Sequence, residues 1–162
     1  MALLNDRAIS RFSSSLGARG LRWAGKLNTP VYRLTRGRLM ARIGRAPVLL
    51  LTTTGRKSGE PRTAPLVYLA DGERMVVIGS NAGNAKVPAW VLNLEADPAA
   101  EVEIGGRRQR VRARRTEGAE RDDLWRRCNA QYAGFDDYAE RTDRTIAVFV
   151  LEPQIHADRE AS

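Results

Sequence analysis

The sequence predicts a mainly β chain of the α+β class, in which an antiparallel, closed sheet carries two helical insertions and follows an N-terminal helical arm. Three observations carry this. Short apolar, β-branched runs are punctuated by turn residues throughout the chain after residue 45. Successive strands are joined by hairpins, with none of the regular strand–helix–strand alternation that a parallel sheet requires. The excess charge lies almost entirely at one end.

That excess defines the arm. The 162 residues are about one domain's worth, with 27 Lys and Arg against 19 Asp and Glu. Residues 1–45 hold ten of the basic residues and one acid, Asp6, a net of +9 that leaves 17 against 18 for the rest. Leu4, Ala8, Phe12 and Leu16 recur every four residues, and Trp23, Leu27, Val31 and Leu34 continue the spacing across a break at Asn28-Thr29-Pro30. Such a helix either lies on an anionic membrane surface or packs its apolar face on the body, and both readings stay open. Charges interrupt every apolar run, so neither a secretory leader nor a spanning helix is expected. The expected place is the cytoplasm, with the arm able to contact the inner face of the cell membrane. Residues 46–155 form the body and 156–162 a tail.

The elements of the body follow in order. Residues 47–54 are a buried strand that ends at Gly55, residues 56–61 a turn, and 62–70 a second strand. Asp71-Gly72 is a two-residue hairpin signal, leading to a third strand over 75–80. Residues 81–84 are a loop. Residues 88–96 read as a helix stopped by Asp97-Pro98. A second hairpin turns at Gly105-Gly106, setting Glu103 against Arg108 and Glu101 against Arg110. That pairing favours a salt-bridged outer face over a nucleic-acid groove for the Arg108, Arg110, Arg112, Arg114 row. Residues 117–141 are helical with a break at Gly134, and 145–151 are the last strand.

Composition narrows the chemistry. A single cysteine (Cys128) excludes a disulfide framework, and a single histidine near the end of the chain (His156) argues against histidine-based metal sites and triads. No metal is expected. A borrowed cofactor fits better. The segment 52–62 leaves a strand, turns through Gly55 and Gly59, and carries Arg56, Lys57 and Arg62, a way to hold phosphate or carboxylate. It is not a Walker loop, since that spacing is absent and a strand follows.

This segment resembles the signature of the deazaflavin-dependent nitroreductase family, split β-barrel oxidoreductases of FMN-binding-protein-like fold that use coenzyme F-420. The markers are Leu50 to Gly59, Pro65-Leu66-Val67-Tyr68-Leu69, Ser80-Asn81-Ala82-Gly83, Pro88-Ala89-Trp90-Val91-Leu92-Asn93-Leu94 with Asp97-Pro98, and Thr142-Asp143-Arg144-Thr145, in that order from about residue 46 to 153. The resemblance implies roles. Arg56, Lys57, Ser58 and Arg62 would bind the phosphodiester and tail carboxylates. Thr63, Ala64, Pro65, Leu66, Val67 and Tyr68 would run beside the flat ring. Ile78, Gly79, Ser80 and Asn81 would close its other side, with Gly79 permitting close approach. Ala89, Trp90, Val91, Leu92 and Asn93 would cover the phosphate region, although Trp90 reads equally as a core aromatic and Asn93 as a helix-surface polar residue. Val67, Ser80, Tyr132, Phe135 and Tyr138 would line the acceptor, with Ser80, Tyr132 and Tyr138 as proton donors. The i, i+3, i+6 spacing of the aromatic trio places it on one helical face, where plain hydrophobic packing is the alternative.

The implied reaction is hydride transfer from the reduced coenzyme to a small organic acceptor. Asn81 stands where the family familiarly has lysine, Val67 where tyrosine can line the pocket, and Phe135 lacks a hydroxyl. A quinone-like or enone acceptor is therefore expected ahead of a nitroaromatic. An FMN enzyme of the related split-barrel group and a non-catalytic deazaflavin carrier are the alternatives.

Overall fold

A computed structural model describes residues 42–43, as backbone, and residues 46–154. The expected helical arm before residue 42 and the expected tail lie outside these. Within them, β1 (Arg42–Ile43), β2 (Ala46–Thr54), β3 (Pro61–Asp71), β4 (Arg74–Ile78), β5 (Ala99–Ile104), β6 (Arg107–Arg115) and β7 (Val148–Pro153) form one antiparallel sheet. Its order is β1-β2-β3-β4-β7-β6-β5, and β5 pairs back onto β2. Six strands thus close a barrel, which leaves β2 without a free edge. The last part of the supposed arm is strand rather than helix. Arg42 and Ile43 pair with Pro47 and Ala46, so the β2 ladder claims their backbone groups.

Alternation sorts the side chains into two cores. Leu49, Leu51, Met75, Val77, Val102, Val111, Phe149 and Leu151 point into the barrel, joined there by Trp90, Val91 and Leu94 of helix α1 (Ala89–Ala96). Outside the barrel, Val76, Ile78, Val148 and Val150 are covered by α2 (Gly118–Gln131) and α3 (Gly134–Ala139). Each large apolar side chain so buried contributes roughly 1.5–3 kcal/mol.

Several boundaries differ from the sequence expectation. Asp71 pairs with Arg74, so the first hairpin loop is Gly72-Glu73, one residue later. Asp71 stays in the ladder because its carboxylate accepts from both Arg74 and Arg127. In the second hairpin the register is the expected one, Ile104 opposite Arg107 and Glu103 opposite Arg108. The Glu103–Arg108 ion pair is also the expected one, at 3.2 Å, but Glu101 is reached by Arg108 (3.9 Å) in place of Arg110, and Arg114 bridges Glu120 and Glu152. The helical break falls at Tyr132 and Ala133. Gly134 opens α3, where a Cβ would lie 2.6 Å from the Tyr132 ring.

One strand is unusual. No residue of β3 is fully buried, although it sits between β2 and β4. Its ladder to β2 runs from Pro61 to Val67, but its ladder to β4 covers only Tyr68 to Asp71. The chain after Ile78 leaves β3 because Gly79 donates its N–H to Ala147 O at 2.8 Å, on the β7 side. Among the described residues, no strand pairs with the other edge of β3 from Pro61 to Val67. The barrel is split there.

Candidate cofactor and acceptor site

The loop after β2 is built around a closed backbone ring. Gly55 N donates to Glu60 O at 2.8 Å, and Gly59 N to Gly55 O at 2.7 Å. Gly59 has φ +71°, a conformation glycine adopts without steric cost. Ser58 Oγ accepts from Glu60 N and from Arg62 Nη2. Arg56, Lys57 and Arg62 are exposed, and none forms an ion pair among the described residues. Three cations and one carboxylate, Glu60, are thus held on an ordered turn, and none of the cations is ion-paired with a described residue.

Asn93 ties this loop to α1. It is 4% exposed, not on the helix surface as the alternative had it. Its Oδ1 accepts from Arg56 N at 3.1 Å and its Nδ2 donates to Thr53 Oγ1 at 3.0 Å. Trp90 is a core aromatic, edge-on to Phe149 at 5.9 Å. Val91 fills the space a side chain at residue 79 would need, 2.7 Å from its position. The close approach that Gly79 permits is therefore that of α1. Ala89 is exposed and Leu92 half-buried.

The segment from Gly79 to Asn84 continues β4 beyond the end of its ladder with β3, and Ala82 packs against the same outer core as Val67 of β3. Asn81 (φ +46°), Ala82 (φ +53°) and Gly83 (φ +76°) are three successive left-handed residues. For the two non-glycines this costs roughly 1–2 kcal/mol each. Their turn is closed by Gly83 N to Ser80 O and Asn84 N to Asn81 O. Asn81 Nδ2 donates to Lys86 O at 2.7 Å. Gly83 is pressed against α3, with Tyr138 O 2.9 Å from where its Cβ would be. Backbone strain of this kind gathers at ligand sites.

Arg144, whose segment was a marker without an assigned role, holds this turn. Its Nε donates to Asn84 O at 3.0 Å, and its Nη2 to Gly79 O at 3.0 Å and Ser80 O at 2.8 Å. Burial pulls its guanidinium below the usual arginine value.

The residues expected at the acceptor converge on the same side. Tyr132, Phe135 and Tyr138 are buried in the outer core, with Ile78 in it and Val67 and Ala82 packed against it. They do not share one helical face: Tyr132 is the extended residue after α2, and the other two belong to α3. The trio packs edge to face, and the Tyr132 and Tyr138 hydroxyls meet at 3.1 Å. Ser80, at the start of the turn, is 8% exposed. Cys128 lies beneath this layer with its thiol pushed up to about 12 by burial, so it is no nucleophile at neutral pH.

A family model described as F420H(2)-dependent quinone reductase matches residues 23–153. The chain belongs to the F420H(2)-dependent quinone reductase family. An F420H(2)-dependent quinone reductase of Mycobacterium tuberculosis is 38% identical over 130 residues, 78% of this chain and 87% of that one. The solved structure of an F420-H2 dependent reductase (FDR-A) has a TM-score of 0.61 at 36% identity, covering 65% of this chain and 94% of that chain. A solved domain-swapped dimer reaches 0.63 at 30% identity, covering 81% and 98%. A heme-binding protein from Mycobacterium smegmatis, at 23% identity and 0.51, shares the fold alone. Membership of the quinone reductase family makes this an F420H2-dependent reductase with coenzyme F-420 as cofactor. The residues present fit that group: free cations for its anionic tail and an open strand edge for its planar head.

Proposed function

We propose that the chain reduces a quinone with hydride from the reduced deazaflavin, in the split between β3 and the Gly79–Asn84 turn. The observation that carries this is the unpaired edge of β3 from Pro61 to Val67 beside a loop whose three cations form no ion pair among the described residues. Arg56, Lys57, Ser58 and Arg62 bind the phosphodiester and tail carboxylates as charge-assisted partners. Of the strand from Thr63 to Tyr68, the residues up to Val67 offer backbone groups on the unpaired edge to the heteroatoms of the ring, Pro65 a C=O alone. The bound coenzyme supplies the hydride, so the protein need supply only orientation, exclusion of water and a proton. Ser80 delivers that proton at the acceptor oxygen, and Val67, Tyr132, Phe135 and Tyr138 shape the apolar end that receives the acceptor. The polar groups lost at positions 67 and 135 favour an apolar quinone; enones and nitroaromatics are secondary acceptors. The family of its relatives favours the deazaflavin over FMN and a reductase over a carrier.

The test is a titration of Lys57→Ala and Arg62→Ala with coenzyme F-420, followed by stopped-flow oxidation of the reduced coenzyme by menadione in the wild type. Affinity should fall at least tenfold in each variant, with melting temperatures unchanged. Tight FMN binding without coenzyme F-420 binding refutes the assignment, and no acceleration by any acceptor in a broad panel refutes catalysis. Among the described residues no helix is long and apolar enough to cross a membrane. The +9 charge of residues 1–45 supports a peripheral contact with anionic lipid. Salt-sensitive sedimentation with anionic liposomes should disappear when those residues are deleted.

A further inference from the structure

Arg144 differs from most of the bonded arginines of the barrel, and from exposed Arg62, which bonds Ser58 Oγ, in being half-buried. Arg74, Arg108, Arg114, Arg115, Arg126 and Arg127 each reach a carboxylate. Arg144 is half-buried, yet all three of its acceptors are neutral carbonyls, those of Gly79, Ser80 and Asn84. Neighbouring Asp143 is exposed and forms no ion pair with it among the described residues. Arg141 is engaged over the Tyr138 ring, 5.9 Å from its centroid, and so adds positive rather than negative charge nearby. A partly buried cation without a counter-charge is costly unless an anion completes it. The carbonyls that bind it belong to the segment that continues β4 past the end of its ladder with β3, the turn that borders the ring slot in the function proposed above.

We propose that Arg144 is a positioning residue that acts through the Gly79–Asn84 turn and supplies the counter-charge for an anionic ligand seated in the split. Its three bonds hold the left-handed turn in shape before the ligand arrives. Its charge, held at the turn by those bonds, stabilises negative charge on the bound head group. This rests on the coenzyme site proposed above, but it concerns a residue outside the cationic loop. The two contributions are separable because lysine keeps the charge and cannot reproduce three carbonyl bonds.

Two variants test it, Arg144→Lys and Arg144→Met, each checked for fold by circular dichroism. Oxidised coenzyme F-420 is titrated into each by fluorescence, and amide exchange is measured in the ligand-free proteins at Gly83 and Asn84, whose N–H groups close the turn. Both variants should exchange faster at these two amides. Affinity should fall at least tenfold in Arg144→Met and stay within threefold of wild type in Arg144→Lys. If both variants bind as wild type does, or both lose tenfold, the counter-charge is refuted. Should Arg144→Met not fold, folded Arg144→Lys decides alone: affinity within threefold with faster exchange supports the proposal, and a tenfold loss overturns it. Wild-type protein that binds no coenzyme F-420 refutes the site itself. Loss in Lys57→Ala with none in either Arg144 variant refutes only the role of Arg144.

Discussion

Replacing Asn93 by alanine should loosen the cationic loop from the barrel. The buried amide makes two hydrogen bonds, to Arg56 N and Thr53 Oγ1. Arg56 is exposed, so water can take over its N–H, at a net loss of about 1 kcal/mol. Thr53 is 2% exposed, so its hydroxyl loses a partner that water cannot easily replace, which costs about 1–3 kcal/mol. The sum, roughly 2–4 kcal/mol, corresponds to a melting point lower by about 4–16 °C for a chain of this size. A double-mutant cycle with Thr53→Val isolates the second bond. If the reasoning holds, Asn93→Ala with Thr53→Val costs less than the two single changes added together, because the valine leaves no orphaned hydroxyl. Urea unfolding at matched m-values reads the stabilities, and a coenzyme titration of Asn93→Ala should show weaker binding. Strict additivity, or a loss under about 0.5 kcal/mol for Asn93→Ala, refutes the bracket.

Other changes probe the turn, the chemistry and the surface. Gly83→Ala forces a side chain into φ +76° and against Tyr138 O at 2.9 Å. It should destabilise by at least about 2 kcal/mol, measured by urea unfolding, and weaken coenzyme binding. Ser80→Ala should lower turnover with menadione about tenfold or more, beyond any change in coenzyme affinity; unchanged turnover would remove Ser80 as proton donor. Hydrogen bonds from Arg127 and then Arg74 hold the Asp71 carboxyl below its usual value of 3.8. A depressed folded-state value means that Asp71 stabilises the fold above about pH 4 and that this contribution fades as pH falls through the lower value. In Asp71→Asn the part of the acid-induced loss due to this group should vanish, at a cost under about 1 kcal/mol at neutral pH. Thermal unfolding from pH 7 down to pH 2 checks both.

The barrel was legible because its strands are local: alternation and turn residues specify each hairpin, and Gly105-Gly106 sets Ile104 against Arg107 from neighbouring sequence alone. The split was not legible. Where β3 loses its partner depends on Gly79 choosing Ala147, far along the chain, and a backbone bond leaves no mark on side-chain identity. Arg144 escaped for the same reason, since its acceptors are carbonyls 60 to 65 residues upstream. Neither the coenzyme-covering reading of Asn93 nor its alternative as a surface amide included its link to the loop, because its partners are 37 and 40 residues away and one of them is an N–H group. The aromatic trio converged as expected but by another route, two helices and a glycine in place of one continuous face. The clustering of Val67 with the trio was carried by family resemblance and not by periodicity.

Helix α1 touches both ends of the split: Asn93 fastens the cationic loop, while Val91 lies against Gly79 at the root of the strained turn. Its eight residues act as a gauge block between the two grips. A helix stretches little, so the spacing between the cationic loop and the strained turn is fixed. Analogues with a shortened or lengthened spacer should lose one grip or the other, and selection for a differently sized carrier would have to rebuild this helix rather than adjust either end alone.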